Sequence, residues 1–218
     1  NEMQGVNVSV GTVTVTGRGA SSVTREIGAT DSVVSEFRLA LNSVEDAKLH
    51  SITLKNEGTA SDNDATNFYL KKGSTVIAGP AMMKNDEVAF VLDEAYAMEK
   101  SKSYDFKVVA DIVDGDARTL EFVLNASSDL AVVGNTYNTN LSVTRTYFDG
   151  TGDSGTTAVT IDGAELNLAF TSTAKESTDD TDDVELGRLT LSAGGTDVEI
   201  STLVFAVDEV DGNSSATD

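Results

Sequence analysis

Along most of the chain, apolar and polar residues alternate with a period of two. Val6-Asn7-Val8-Ser9-Val10, Thr12-Val13-Thr14-Val15-Thr16 and Phe37-Arg38-Leu39-Ala40-Leu41 alternate cleanly, and Leu49-His50-Ser51-Ile52-Thr53-Leu54 does so with one slip. Successive side chains of an extended chain point to opposite faces, so this pattern places one row on a core and the other in water, as in a half-buried antiparallel strand. Further strands are predicted over 66–71, 74–78, 87–92, 103–112, 117–125, 139–147, 157–161, 164–172, 184–192 and 197–206. Turn chemistry separates them at Gly17-Arg18-Gly19, Asn56-Glu57-Gly58, Lys72-Gly73, Asp114-Gly115-Asp116 and Gly194-Gly195. Asp114-Gly115 reads as a tight hairpin joining 103–112 to 117–125. Only Asp93 to Lys100 has helix-forming composition, enough for one or two turns. Seven or eight short strands in about 130 residues predict an all-β chain organised as a β-sandwich.

The apolar pattern also repeats. Val34, Arg38, Leu39 and Leu41 match Val184, Arg188, Leu189 and Leu191, and after a one-residue insertion Asp46, Leu49, Ile52 and Leu54 match Asp197, Ile200, Leu203 and Phe205. Asn7-Val8-Ser9-Val10 likewise matches Asn140-Leu141-Ser142-Val143. The reading is two tandem antiparallel β-sandwich modules, the first complete over 1–138 and the second incomplete, with only its first half in 139–218. Half a sandwich exposes an apolar face and an open edge. The second module is therefore expected to be completed by further chain, or by strand complementation from another subunit.

Composition narrows the function. The 218 residues include no Cys, no Trp, one Pro and one His, with 15 Lys and Arg against 36 Asp and Glu for a net charge of −21. Such a charge repels phosphate backbones, so nucleic acid is excluded as a partner. No apolar run approaches the roughly 20 residues of a transmembrane segment. The acidity is uneven: residues 146–218 carry 16 acids and only Lys175 and Arg188 as bases. Abundant Ser, Thr, Asn and Gly without Cys suits an extracellular, cell-surface location.

The run Val33-Val34-Ser35-Glu36-Phe37-Arg38-Leu39-Ala40-Leu41, then Lys48 to Leu54, Asn67-Phe68-Tyr69-Leu70 and Lys102 to Ile112, resembles the immunoglobulin-like β-sandwich repeats of prokaryotic surface-layer and other secreted cell-surface proteins. The resemblance covers residues 6–126 and, more weakly, 139–210. It implies an exported structural or adhesive protein.

Catalytic chemistry has little to build on. His50, the sole histidine, lies on the polar row of its strand, and neither a thiol nor a histidine pair is available for covalent or zinc chemistry. The chain is read as a non-enzyme. Calcium is the one cofactor the sequence suggests, because hard cations take clustered carboxylates on loops. Asp149 and Asp153 flank two glycines, while Asp62 with Asp64 and Asp114 with Asp116 form pairs at closer spacing. Glycosylation sequons occur at Asn7, Asn125, Asn140 and Asn213. The expected function is a structural building block of a surface layer or extracellular filament, with copies of itself as partners in a homopolymer. The alternative is a cell-surface adhesin that binds a cell-wall or surface glycan, with Phe68-Tyr69 and Tyr147-Phe148 as its aromatic platforms.

Overall fold

A computed structural model describes residues 10–20, 22–150, 154–163, 165–172, 187–194 and 198–206. Its strands are β1 (Thr12–Gly17), β2 (Ser22–Glu26), β3 (Ser32–Leu41), β4 (Ala47–Asn56), β5 (Ala65–Lys72), β6 (Thr75–Ala81), β7 (Met83–Lys84), β8 (Glu87–Met98), β9 (Ser103–Ile112), β10 (Thr119–Leu120), β11 (Phe122–Val123), β12 (Leu130–Gly134), β13 (Ser142–Thr146), β14 (Ala158–Asp162), β15 (Glu165–Ser172) and β16 (Gly187–Gly194). Apart from one 3-10 turn at Ser127–Asp129, the regular structure of the described residues is all β.

Alternation along each strand sets which face it buries. In β1, Val13 and Val15 are fully buried while the threonines between them are half-buried, and in β3 a bulge opposite β9 lets Val34 and Ser35 both turn inward. Six strands form one sheet in the order β13-β1-β3-β9-β5-β6. The facing sheet runs β11-β4-β8-β7, with β12 also paired along β4. A small third sheet, β10-β14-β2, closes one side. Phe37, Leu39, Phe106 and Val108 of the first sheet share a single apolar core with Leu49, Ile52, Leu54 and Phe90 of the second. This is a β-sandwich, as the strand pattern predicts. The one proline, Pro80, lies on edge strand β6, where the N–H it lacks is least missed.

Three expectations change. The module boundary expected after residue 138 moves, because the first sandwich continues beyond it. β13 lies parallel beside β1, from Thr12 opposite Ser142 to Thr16 opposite Thr146. β14 lies parallel beside β2 and antiparallel beside β10. Leu141, Phe148, Val159 and Ile161 are buried in the same core as Val13 and Phe37. The backbones also nest: a Cβ on Gly17 would stand 2.3 Å from the Gly155 carbonyl oxygen, so only glycine fits there. The alternation at Asn140–Val143 leads into β13, an edge strand with one wet face, rather than into a new module.

Asp114-Gly115 is a turn but not a hairpin. Both edges of β9 are occupied by β3 and β5, so the chain leaves that sheet and supplies β10 and β11 to the other two. The helical expectation at Asp93 to Lys100 also fails. β8 continues through Met98, with Tyr96 opposite Leu49 and Met98 opposite Ala47. An isolated helical turn is too costly to nucleate when a ladder and core contacts are on offer. The predicted strand at Val6–Val10 falls almost wholly outside the described residues.

Candidate interaction surfaces

The aspartates read as cation ligands are spread over the fold, and most have their oxygens engaged. Both carboxylate oxygens of Asp62 accept backbone N–H bonds, from Asn85 at 2.8 Å and Asp86 at 3.0 Å. Asp64 is buried, accepting from the Ser61 N–H at 2.6 Å and from the Arg118 guanidinium at 2.9 Å. That carboxylate raises the Arg118 pKa above its ordinary value, chiefly through the hydrogen bond. Asp114 accepts from the Gly115 N–H, and Asp116 accepts from the Gly163 N–H at 2.8 Å. Asp149 is exposed, and Asp153 lies outside the described residues. Among the described residues no three His, Cys, Asp or Glu side chains come together as a metal site.

His50 is exposed on the outer face of β4, as its place in the polar row predicts. It borders a shallow cleft with Lys48, Asn135 and Asn138. The two aromatic pairs divide between core and surface. Phe68 and Phe148 have no exposed surface; Phe148 stacks on Phe37 with ring centroids 5.5 Å apart, and Phe68 meets Phe122 edge-on at 5.7 Å. Tyr69 is left half-buried and Tyr147 exposed, so neither pair makes a stacked platform. Of the sequons, Asn125 and Asn140 are exposed, while Asn7 and Asn213 lie outside the described residues.

The outer face of the six-stranded sheet is polar and cross-linked by charge. Arg38 on β3 and Asp105 on β9 sit opposite one another and bond through two parallel contacts, Nε to Oδ1 at 2.6 Å and Nη2 to Oδ2 at 2.7 Å. The hydrogen bond from Arg38 holds the Asp105 carboxyl below its ordinary pKa. Asp111 is depressed too, first by the bond from the Asn67 amide and then by the Asp31 N–H. Lys71 pairs with Asp31 beside them. Such a face stays wet.

Two other surfaces expose apolar side chains. Between edge strand β6 and β8 runs an open groove of about 820 Å³. Val76, Met82 and Val91 line it and are 47%, 56% and 73% exposed. β7 pairs with β8 only at Glu87 and Val88, so from Ala89 onward β8 has a ladder partner on β4 alone. The groove escaped the sequence reading because edge status depends on strand order, which alternation does not encode.

The second surface is the β15–β16 hairpin. Its register sets Leu166 opposite Ala193, Leu168 opposite Leu191 and Phe170 opposite Leu189, so one face is apolar from Leu166 to Phe170. Asn167, Ser192, Ala169 and Thr190 fall on the other. Among the described residues no element covers the apolar face: Leu166, Leu168, Phe170 and Leu191 are 39%, 58%, 64% and 37% exposed, and none belongs to the sandwich core. Beyond it, Ile200, Leu203, Val204 and Phe205 are exposed as well. Contiguous exposed apolar surface of this kind marks an interaction site.

Comparison with known proteins adds to the fold. No family model matches the chain, and no curated protein does. Among solved structures, the chain is similar to a chain of a type I cohesin–dockerin complex from Clostridium thermocellum, with 13% identity over 69% of this chain and 99% of that one and a TM-score of 0.34. It is also similar to the seventh ScaB type I cohesin from Pseudobacteroides cellulosolvens, with 11% identity over 78% of this chain and 98% of that one and a TM-score of 0.27. These likenesses concern fold alone. No helix among the described residues is long and apolar enough to cross a membrane.

Proposed function

We propose that this chain is a structural building block of an extracellular assembly, a surface layer or filament of the kind its sequence resembles, made of tandem β-sandwich modules. One observation carries the reading: the amphipathic β15–β16 hairpin, whose apolar face has no cover among the described residues. In this reading β15, β16 and residues 198–206 belong to the opening of a second module. Supporting it, the repeat sets Leu189 and Leu191 on Leu39 and Leu41, and the ladders agree. β1–β3 pairs Val15 with Leu39 and Val13 with Leu41, while β15–β16 pairs Phe170 with Leu189 and Leu168 with Leu191. The same two-strand unit is buried in the first sandwich and bare in the second.

Calcium enters this proposal at the Asp149–Asp153 spacing read from the sequence, where two aspartates flank two glycines. A bound cation there would offset part of the −14 charge of residues 146–218. Electron microscopy of the purified chain, with and without a calcium chelator, tests both ideas. Ordered sheets or filaments are expected, loosened by chelation. Isolated monomers under all conditions would overturn the assembly reading, and assemblies indifferent to chelation would overturn only the cation.

A further inference from the structure

We infer that the bare hairpin face is covered by a second copy of this chain, in a two-fold exchange in which residues 198–206 of each copy lie across the hairpin of the other. The inference rests on the assembly reading and names its partner.

The first sandwich supplies the template. There Val13, Val15, Leu39 and Leu41 of β1–β3 share one apolar core with Leu49, Ile52 and Leu54 of β4 in the facing sheet, all three of which are fully buried. By the internal repeat, Ile200, Leu203 and Phe205 are the counterparts of those three residues, as the hairpin is the counterpart of β1–β3. The chain thus carries both halves of a complementary apolar pair. Among the described residues of one copy neither half is covered, since Ile200, Leu203 and Phe205 are 43%, 44% and 63% exposed and Phe170 is 64% exposed. Reciprocal exchange satisfies both, and a self-complementary patch of this sort closes with two-fold symmetry.

The area is sufficient. Taking about 150–200 Å² for a fully exposed large apolar side chain, the exposed fractions of the hairpin and of 198–206 together offer roughly 700 Å², close to the ~800 Å² per partner of a stable interface. Charge sets a signature on the contact. Each copy brings residues 146–218 with 16 acids and two bases, so the two copies repel at low ionic strength and the repulsion fades as salt shortens its range. Association driven by this surface therefore strengthens with salt, opposite to a contact made by salt bridges.

The test uses the whole chain. Light scattering coupled to size exclusion is expected to show a dimer or larger species, increasing with salt. The double variant Leu168→Glu, Phe170→Glu is expected to lose it while keeping the wild-type denaturation midpoint of the first sandwich. Because the chain has no Cys, engineered cysteines report contacts without background. A Leu168→Cys chain mixed with a Leu203→Cys chain is expected to give a disulfide-linked heterodimer. A chain carrying both cysteines that links only within itself would overturn the inference, as would wild-type association untouched by the glutamate pair; the assembly reading survives either result. A wild-type chain that stays monomeric at every salt concentration overturns both.

Discussion

Phe37 has no exposed surface, and its ring stacks on Phe106 at 5.6 Å and on Phe148 at 5.5 Å. It therefore joins β3, β9 and the loop that follows β13. Removing it leaves a cavity that the surrounding strands only partly fill, so Phe37→Ala should cost about 3–5 kcal/mol in chemical denaturation. The charged residues of the outer face act on a smaller scale and depend on pH. Asp105 and Asp111 have folded-state pKa values below the ordinary carboxylate value, so they contribute stability above that value and lose it as pH falls through their depressed ones. Asp105 is exposed and Asp111 half-buried at the surface, which keeps the effect modest. NMR titration should show the Asp105 pKa rising toward its ordinary value in Arg38→Gln, and the stability gap between wild type and that variant should narrow as acid protonates Asp105.

Strands make the sharper prediction. If β13 and β14 belong to the first sandwich, a chain ending at residue 138 lacks the partners of β1 and β2 and the buried Phe148, Val159 and Ile161. It should unfold at markedly lower denaturant than a chain ending at residue 163. Equal midpoints for the two would sink the revised boundary. Within this frame, what could be read from sequence follows from what each signal encodes. Alternation reports which side of a strand is buried, so β1, β3, β4 and β9 were legible from Val13, Leu39, Leu49 and Phe106. Strand order, by contrast, is set by contacts between residues distant in sequence, so the parallel return of β13 to β1 and the edge beside β8 left no local mark. The Asp-Gly turn after β9 was read correctly, and the partner of its outgoing strand was not. Cation ligands were read from spacing alone. Spacing cannot tell an aspartate that caps a turn, as Asp62 does for Asn85 and Asp86, from one that faces an ion.

For the molecule as a whole, the symmetry of the proposed contact matters. A two-fold exchange closes on itself at the dimer, so growth into a sheet or filament requires a second contact of different character. The groove beside β6 and β8, of mixed polar and apolar lining with Val76, Met82 and Val91 exposed along it, offers such a contact. Val91→Lys should accordingly leave dimers intact in light scattering while abolishing larger species under the microscope. Loss of the dimer itself would place the two-fold contact in the groove instead of the hairpin.

The parallel return of β13 to β1, and of β14 to β2, also bears on tension. Stretching the first sandwich by residues 10 and 163 drags β1 backward from its start and β14 forward from its finish. Parallel neighbours pulled this way slide along their shared axis, so the bonds of each ladder are strained together and must fail together. A hairpin pulled from its open end instead parts one bond at a time. In a single-molecule pulling experiment the sandwich should therefore give one abrupt rupture, at a force well above that which opens a hairpin from its end.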